Sequence, residues 1–240
     1  IIYRKELFMK KIGIIGAMEI EVETLKSHLQ LTRTVEKASM TFFEGTLNEV
    51  PVVIVRSGIG KVNAGMCVQI LADVFAVTHI INTGVAGSLN ADINIGDIVL
   101  STDTLYHDVD ASGFGYPLGE VPQLGTLSFT ADANMIAKAH RSCEVVNPDI
   151  HVFEGRIVSG DQFISSPEKK EWIISHFGGF CTEMEGAAIS HASYLNHIPF
   201  VIIRAISDKA DDSAHVDYPT FEKAAAEHSA RLVEHLIQQL

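Results

Sequence analysis

Three acidic residues lie where apolar, strand-like runs of this chain end. Glu21, Glu185 and Asp208 each come within a few residues of such an end. Ligands of parallel α/β proteins gather outside the carboxyl ends of the strands, so we expect these side chains to share one edge of a sheet. Like charges in one place repel, and three carboxylates together therefore predict chemistry rather than a contribution to stability.

The three carboxylates differ in the chemistry that they predict. Asp208 ends the most apolar run and has other acids near it, so we expect its pKa to rise and the group to donate a proton. Glu185 begins a predicted helix, whose dipole should keep it ionised, as suits an acceptor for a diol. Glu21 lies between Glu19 and Glu23 in a predicted first helical turn, where a simple bias toward negative charge explains it equally well.

Glycine-containing turns follow several of the same strands, and glycine lets the backbone approach a ligand closely. Three of them read GIGK (58–61), GVAG (84–87) and GDQFI (160–164). The first is similar to part of a phosphate-binding P-loop, but valines occupy positions 55 and 62, where that motif requires Gly and Ser or Thr. A nucleoside triphosphate site is therefore poorly supported, and a dinucleotide site is no better supported, because these loops lack G-x-G-x-x-G.

One stretch, His107-Asp108-Val109-Asp110, has side chains of the kinds that bind metal ions. Because no second histidine cluster accompanies it, a turn capped by its own side chains is the better interpretation. We therefore predict neither a metal ion nor a cofactor. The sequence also lacks the G-x-S-x-G motif of a serine nucleophile.

Charge and composition limit the classes of function. The chain has 18 Lys and Arg against 30 Asp and Glu, a net charge of −12, which disfavours binding to nucleic acid or to anionic membranes. We recognise neither an apolar run of bilayer length nor a leader peptide. Three cysteines without a C-x-x-C pair are typical of a reducing compartment, so we expect a cytoplasmic globular protein.

Strand-like runs alternate with amphipathic stretches along the chain. Strands are predicted over 11–17, 41–47, 52–56, 80–83, 97–105, 153–159, near Cys181 and over 200–206. Helices are predicted over 19–30, 61–76, 131–143, 168–177, 186–196 and 218–240, a surface excursion over 113–125 and a non-helical segment over 209–216. Strands separated by helices need crossover connections, so we predict one α/β domain with a largely parallel sheet. Residues 1–8, before Met9, are interpreted as a tag remnant or upstream extension, and 9–240 as the domain.

Seven segments carry a family resemblance: GIIGAMEIEV (13–22), SGIGKVNAG (57–65), INTGVAGSL (81–89), YHDVDASGFGYPLG (106–119), SGDQFI (159–164), TEMEGAAI (182–189) and RAISDKAD (204–211). Together they resemble the 5′-methylthioadenosine/S-adenosylhomocysteine nucleosidases of the nucleoside phosphorylase superfamily. The resemblance extends in order from Met9 to the C-terminus. It implies a single α/β domain with a central mixed, mainly parallel sheet flanked by helices, in agreement with the predicted elements.

The resemblance implies that water cleaves the N-glycosidic bond of 5′-methylthioadenosine and S-adenosylhomocysteine, which releases adenine without a cofactor. Asp208 matches the family's general acid, which protonates adenine N7 while the ribosyl group develops oxocarbenium character. Glu21 matches the acid that positions and deprotonates the attacking water. Glu185 matches the glutamate that binds the ribose 2′- and 3′-hydroxyls.

Further matches concern the base and the sugar. Met184 matches the residue beneath the sugar, Phe163 the aromatic residue that stacks on adenine, and Ile164 a backbone contact to the Watson–Crick edge. Arg204 and Ser207 match residues that support the acid.

At the 5′ end of the nucleoside, the apolar lining for the alkylthio group is implied to come from Met18, Ile59 and Tyr218. Phe114 and Tyr116 match residues that the neighbouring subunit contributes, which implies a homodimer.

Two positions depart from the family pattern. Val85 stands where many members have serine, which removes a hydroxyl near Asp208 and leaves a backbone contact from Ala86. Ala111 replaces a larger aliphatic residue at the rim of the site.

Three alternatives stay open. A purine or uridine phosphorylase needs cationic, glycine-rich phosphate contacts in the first loop, whereas residues 17–21 are acidic and would repel phosphate. An aminofutalosine-type nucleosidase would use the same chemistry on another 5′ substituent. A non-catalytic nucleoside-binding protein is disfavoured by the presence of all three acids.

Overall fold

The computed structural model describes residues 10–240, so the expected extension 1–8 and its boundary at Met9 lie outside the described residues. The strands are β1 Ile12–Gly16, β2 Gln30–Lys37, β3 Met40–Leu47, β4 Val50–Arg56, β5 His79–Ser88, β6 Ile98–Tyr106, β7 Phe129–Thr130, β8 Val152–Ser159, β9 Cys181–Glu183 and β10 Phe200–Asp208. The helices are α1 Glu19–Ser27, α2 Lys61–Phe75, α3 Ala133–Val146, α4 Pro167–Phe177, α5 Gly186–Leu195 and α6 Ala214–Gln239, with a 3-10 helix at Ser112–Phe114.

The described strands form one mixed sheet in the order β10-β6-β8-β9-β5-β1-β4-β3-β2, with β7 on β6. Parallel pairs join β1 to β4 and β5, β5 to β10, and β8 to β6 and β9. Because β10 also pairs with β5, the strands β5, β9, β8, β6 and β10 close on themselves. The predicted single α/β domain with a mixed, mainly parallel sheet and flanking helices is confirmed.

The central strands are the ones that the sequence predicts best. All residues of β1 and β10 are buried, and their near-continuous apolar runs are typical of parallel strands covered on both faces. The described helices cover these faces, and none of them is long and apolar enough to cross a membrane.

The edge strand β2 was not predicted, and the helix predicted over 19–30 ends at Ser27. Strand β2 is polar and exposed, so it has no apolar pattern to reveal it. It pairs with β3 through a two-residue turn in which Ala38 and Ser39 have φ values of 51° and 59°. Positive φ at both positions is the geometry that lets a tight hairpin follow the twist of its strands. Strand β2 is therefore held by backbone hydrogen bonds and register rather than by burial.

Three predicted boundaries were wrong. Strand β5 continues through the predicted turn 84–87 to Ser88, and β10 includes Asp208. Helix α6 begins at Ala214, inside the segment predicted to be non-helical. The helix starts about one turn before the predicted start at Tyr218, and Pro219 lies inside it.

Candidate active site

A cavity of about 330 Å3 opens at the carboxyl ends of β1, β5, β8, β9 and β10. This is the edge where parallel strands present ligand-binding loops, and the volume suits a small molecule. Most of the predicted site residues line it: Met18, Glu21, Ile59, Val85, Ala86, Phe163, Ile164, Met184, Glu185, Ser207, Asp208 and Tyr218. The lining also includes residues that were not predicted: Ala17, Gly87, Gln162, Thr182 and Glu183.

Asp208 lies at the end of β10, just beyond an irregularity in its pairing with β5. Such a bulge turns the following side chains away from the regular alternation of the strand. The carboxylate accepts hydrogen bonds from the Ser207 hydroxyl (2.9 Å) and the Ala210 N–H (2.8 Å). Burial nevertheless raises the pKa of Asp208, and the charges of Asp217 and Asp211 add to this effect. The predicted rise is confirmed, and Asp208 is suited to carry a proton.

Glu21 differs from its acidic neighbours because it is buried, whereas Glu19 and Glu23 are exposed. Its Oε2 accepts the N–H groups of Ala17 (2.6 Å) and Met18 (2.9 Å), and Oε1 accepts that of Val85 (3.1 Å). Burial raises its pKa, although the Arg204 charge and these N–H groups oppose the rise. A bias toward negative charge in a first helical turn explains the two exposed acids but does not explain a buried one.

Two glycines of β5 make room for these carboxylates. A Cβ atom at Gly84 would lie 2.6 Å from the Glu21 carboxylate, and one at Gly87 would lie 2.7 Å from that of Asp208. The segment 84–87, which contains both glycines, was predicted to be a turn that approaches a ligand. In the structure it lies within a strand and admits two acidic side chains.

Glu185 lies at the N-cap position of α5 and does not cap the helix with its side chain. Its Oε1 accepts the N–H of Gly60 (2.8 Å), which is at the start of α2. Burial raises the pKa of Glu185 to about 8, and the Glu183 charge contributes to the rise. The prediction that the helix dipole keeps Glu185 ionised is therefore wrong, because Glu183 accepts the first N–H groups of α5 and Glu185 is desolvated.

Arg204 does not support Asp208 directly, contrary to expectation. Residues four apart on a strand are separated by about 13 Å along it, which is too far for these two side chains to meet. The guanidinium instead donates to Glu183, to Asn82 Oδ1 (2.5 Å) and to the Ile203 carbonyl (3.0 Å). Arg204 is fully buried, so it and Glu183 form a buried ion pair beneath the cavity.

Glu183 is the one charged residue among the cavity-lining residues that were not predicted. A signal for it was present, since Arg204 is the one charged residue in the apolar run 200–206. A buried arginine needs an acidic partner. The E-x-E pattern of Glu183 and Glu185 offered two candidates, of which only the second was chosen.

Apolar side chains form the mouth of the cavity. The Tyr218 hydroxyl donates to the Met18 sulfur at 3.2 Å, and the Tyr218 ring meets Phe163 edge-on at 5.9 Å. Phe163 and Ile59 are both about half exposed. Phe114 and Tyr116 do not line the cavity of their own chain, and Phe114 is 88% exposed.

The stretch 107–110 lies beside the loop that carries Phe163. Asp108 accepts hydrogen bonds from Lys61 Nζ (2.7 Å) and from the Asp161 N–H (2.9 Å). His107 is buried, and neither of its ring nitrogens has a hydrogen-bond partner within residues 10–240. In the same part of the chain, no three His, Cys, Asp or Glu side chains are grouped as a metal ion would require.

Proteins of known family resemble this chain in both sequence and structure. The family model of the phosphorylase superfamily matches residues 11–238. A 5′-methylthioadenosine/S-adenosylhomocysteine nucleosidase of Exiguobacterium is 40% identical over 96% of this chain and 98% of its own. The crystal structure of such a nucleosidase from Neisseria meningitidis, in complex with methylthio-immucillin-A, is 40% identical with a TM-score of 0.93, covering 96% of this chain and all of that one. The futalosine hydrolase of Helicobacter pylori is 30% identical with a TM-score of 0.91, covering 97% and 99%.

The raised pKa of Glu185 predicts a pH-dependent cost to folding. Its pKa is about 8 in the folded protein and 4.5 as an ordinary glutamate, so the folded state holds the proton more tightly. The stability due to Glu185 is complete below pH 4.5 and is lost as the pH rises toward 8. Glutamine mimics the neutral carboxyl group. The free energy of unfolding of Glu185→Gln relative to wild type should therefore increase by up to about 4 kcal/mol between pH 5 and pH 9.

Denaturant unfolding at a fixed protein concentration measures this difference. Glu23→Gln is the matched control, because Glu23 is an exposed acid of α1. A difference between Glu185→Gln and wild type that stays constant with pH would contradict the prediction.

Proposed function

The chain belongs to the phosphorylase superfamily and, within it, to the 5′-methylthioadenosine/S-adenosylhomocysteine nucleosidases, and we propose that it hydrolyses the N-glycosidic bond of these two nucleosides to release adenine. One observation carries the proposal. Three buried carboxylates, Glu21, Glu185 and Asp208, line one cavity, and burial raises the pKa of each of them. Such a site can hold a proton donor, a base and a hydroxyl-binding group at close quarters.

Asp208 acts as the general acid in this proposal. It transfers its proton to adenine N7 while the bond between ribose C1′ and adenine N9 breaks, and the electron pair of that bond stays on N9. Protonation makes the departing base neutral rather than anionic. The raised pKa of Asp208 supports this role, because burial favours the protonated form that a general acid needs. Ser207, which donates to the same carboxylate, orients it.

Glu21 acts as the base, and Glu185 binds the sugar. Glu21 is held by three backbone N–H groups and takes a proton from the water that attacks C1′. The oxocarbenium-like ribosyl group thereby gains a hydroxyl group. The ribose 2′- and 3′-hydroxyls donate to Glu185 in its ionised form. Met184 packs beneath the sugar, with Phe163 and Ile164 placed at the base.

The first loop favours water over phosphate as the nucleophile. The N–H groups at the start of a helix are a natural anion site. Here those of Ala17 and Met18 already bind the Glu21 carboxylate, and Val85 donates to the same group. A phosphate ion would meet a carboxylate in place of free donors, which supports hydrolysis over phosphorolysis.

Adenine release with and without inorganic phosphate tests the proposed function. We expect 5′-methylthioadenosine and S-adenosylhomocysteine to yield free adenine in phosphate-free buffer, at a rate that phosphate does not raise. The similarity to a futalosine hydrolase makes aminofutalosine the informative third substrate, with 5′-deoxyadenosine as a fourth. Strict dependence on phosphate would reject hydrolysis, and cleavage of aminofutalosine alone would reassign the substrate.

Replacing the proposed acid should abolish turnover and spare binding. We expect Asp208→Asn to lower kcat by about 10²–10⁴-fold, because the variant has no proton to donate, while a non-hydrolysable methylthioadenosine analogue still binds. Single-turnover adenine release and analogue titration measure the two effects. Asp212→Asn serves as the control, since Asp212 is a nearby exposed acid. Activity near the wild-type level in Asp208→Asn would refute the assignment.

An exposed apolar face supports the proposal of a homodimer. Val62 on α2 is 73% exposed and Leu195 on α5 is 57% exposed, and these two helices pack together. Ile59 at the cavity mouth lies just before α2, so the face continues to the mouth. We propose that a second copy covers this face, and that Phe114 and Tyr116 of each copy complete the mouth of the other.

A charge placed on that face should separate the subunits. We expect Leu195→Glu to sediment as a monomer and to lose most of its kcat/KM, because the mouth would lack the side chains of the second copy. Leu31→Glu is the matched control, since Leu31 is 56% exposed on the edge strand β2, away from this face. An unchanged sedimentation coefficient in Leu195→Glu would contradict the dimer face.

We also propose a cytoplasmic location. Cys67, Cys143 and Cys181 are all buried free thiols, and burial raises the pKa of each. Unpaired cysteines are typical of proteins in a reducing compartment.

A further inference from the structure

Glu183, two residues before the ribose-binding glutamate, has no role in the reaction described above. It is buried at the end of β9 and lines the cavity. Its Oε2 accepts the backbone N–H groups of Glu185 (3.1 Å) and Gly186 (2.7 Å). These groups belong to the start of α5, so one carboxylate holds the backbone that carries Glu185.

The remaining donors around Glu183 keep it ionised. Its Oε1 accepts the Ser159 hydroxyl, whose oxygen accepts the N–H of Ala187 at 2.7 Å. Arg204 donates to Oε2. Burial alone would raise the pKa of Glu183, but the Arg204 charge and these hydrogen bonds hold it below its usual value. A full negative charge therefore lies next to Glu185.

The groups that face Glu185 divide into two sets. Burial and the charges of Glu183 on β9 and Glu21 on α1 disfavour its ionised form. Arg204 on β10 and the N–H of Gly60 before α2 favour the ionised form but do not overcome the first set. Among residues 10–240, Glu185 accepts one hydrogen bond, from the Gly60 N–H, whereas Glu183 accepts four.

Two described residues at the end of β6 interact with the Glu183 charge, and neither of them is a cation near pH 7. Tyr106 ends β6 and His107 follows it, and both are close enough to sense the Glu183 charge. Burial raises the pKa of Tyr106 and lowers that of His107, so both are neutral near pH 7. Arg204 is the counter-charge of Glu183, and the pair acts on Glu185 as a unit.

We propose that Glu183 is a positioning residue of the ribose-binding step: it fixes the backbone that carries Glu185, and its charge adds to burial in keeping Glu185 protonated while the site is empty. The ribose hydroxyls donate to the carboxylate only in its ionised form. Binding therefore releases the Glu185 proton to solvent, and substrate affinity depends on pH through Glu183. This inference rests on the proposed function, because it requires a ribose diol in the site.

Calorimetry in buffers of different ionisation enthalpy counts the protons released on binding. The Asp208→Asn protein is the parent, because it should hold 5′-methylthioadenosine without cleaving it. We expect it to release close to one proton per nucleoside at pH 7, since a group with a pKa of about 8 is mostly protonated there. Adenine, which lacks the ribose, should release none. Adding Glu185→Gln should abolish the release.

Substitutions at Glu183 separate its charge from its position. Adding Glu183→Gln should reduce the release well below that of the parent, because Glu185 loses its negative neighbour while the Arg204 charge, which favours its ionised form, remains. Adding Glu183→Asp keeps the charge and shortens the side chain, so the release should persist while affinity falls. Glu183→Gln leaves Arg204 unpaired, whereas the combination Glu183→Gln with Arg204→Met removes both charges and leaves burial to favour the protonated form, so it should release more protons than Glu183→Gln alone.

Equal proton release in the Glu183→Gln variant and its parent would overturn the proposal. A Glu183→Asp variant that loses as much release as Glu183→Gln would also overturn it, since a purely structural role makes no distinction of charge. A different result would contradict the proposed function. A wild-type protein that binds 5′-methylthioadenosine and yields no adenine would contradict hydrolysis, while the proton count on binding would still decide the role of Glu183.

Discussion

A buried guanidinium makes it possible for several acids to share one cavity. Arg204 pairs with Glu183, and its charge also acts on Glu21 and Glu185. A buried ion pair is stable only when further hydrogen bonds satisfy its remaining donors and acceptors. Here Ser159, Asn82 and the first N–H groups of α5 supply most of them. Burial raises the pKa of the remaining carboxylates, which favours their neutral forms and reduces the repulsion between them.

In the same site, backbone N–H groups at the cavity already donate hydrogen bonds to acidic side chains of the protein. N–H groups at the starts of α1 and α5 bind Glu21 and Glu183, so an external anion would meet a carboxylate at each of these helix ends. In the proposed reaction, this arrangement favours water over phosphate as the nucleophile. The glycines of β5 belong to it, because side chains at Gly84 and Gly87 would displace the carboxylates of Glu21 and Asp208.

Sequence patterns predicted the parts of the fold in which burial leaves a periodic signal. Strands β1 and β10 are covered on both faces and read as apolar runs, so their positions and the edge at which they end were predicted correctly. Strand β2 was missed because its pairing with β3 depends on hydrogen bonds and leaves no apolar pattern. Glu185 lines the cavity, but its ionisation was predicted wrongly, because a dipole argument neglects the burial of the carboxyl group and the charge of the neighbouring Glu183.

By itself, the sequence determined which chemical groups arrive at the cavity. The connections between parallel strands bring the loops after β1, β8 and β10 to one edge, whatever the details of packing. The tertiary structure alone decided which acid pairs with Arg204 and which acids keep their protons. Those outcomes depend on desolvation and on distances between residues such as Glu21, Glu183 and Arg204. These residues lie far apart in the chain, and only the folded molecule specifies the few ångströms that separate them.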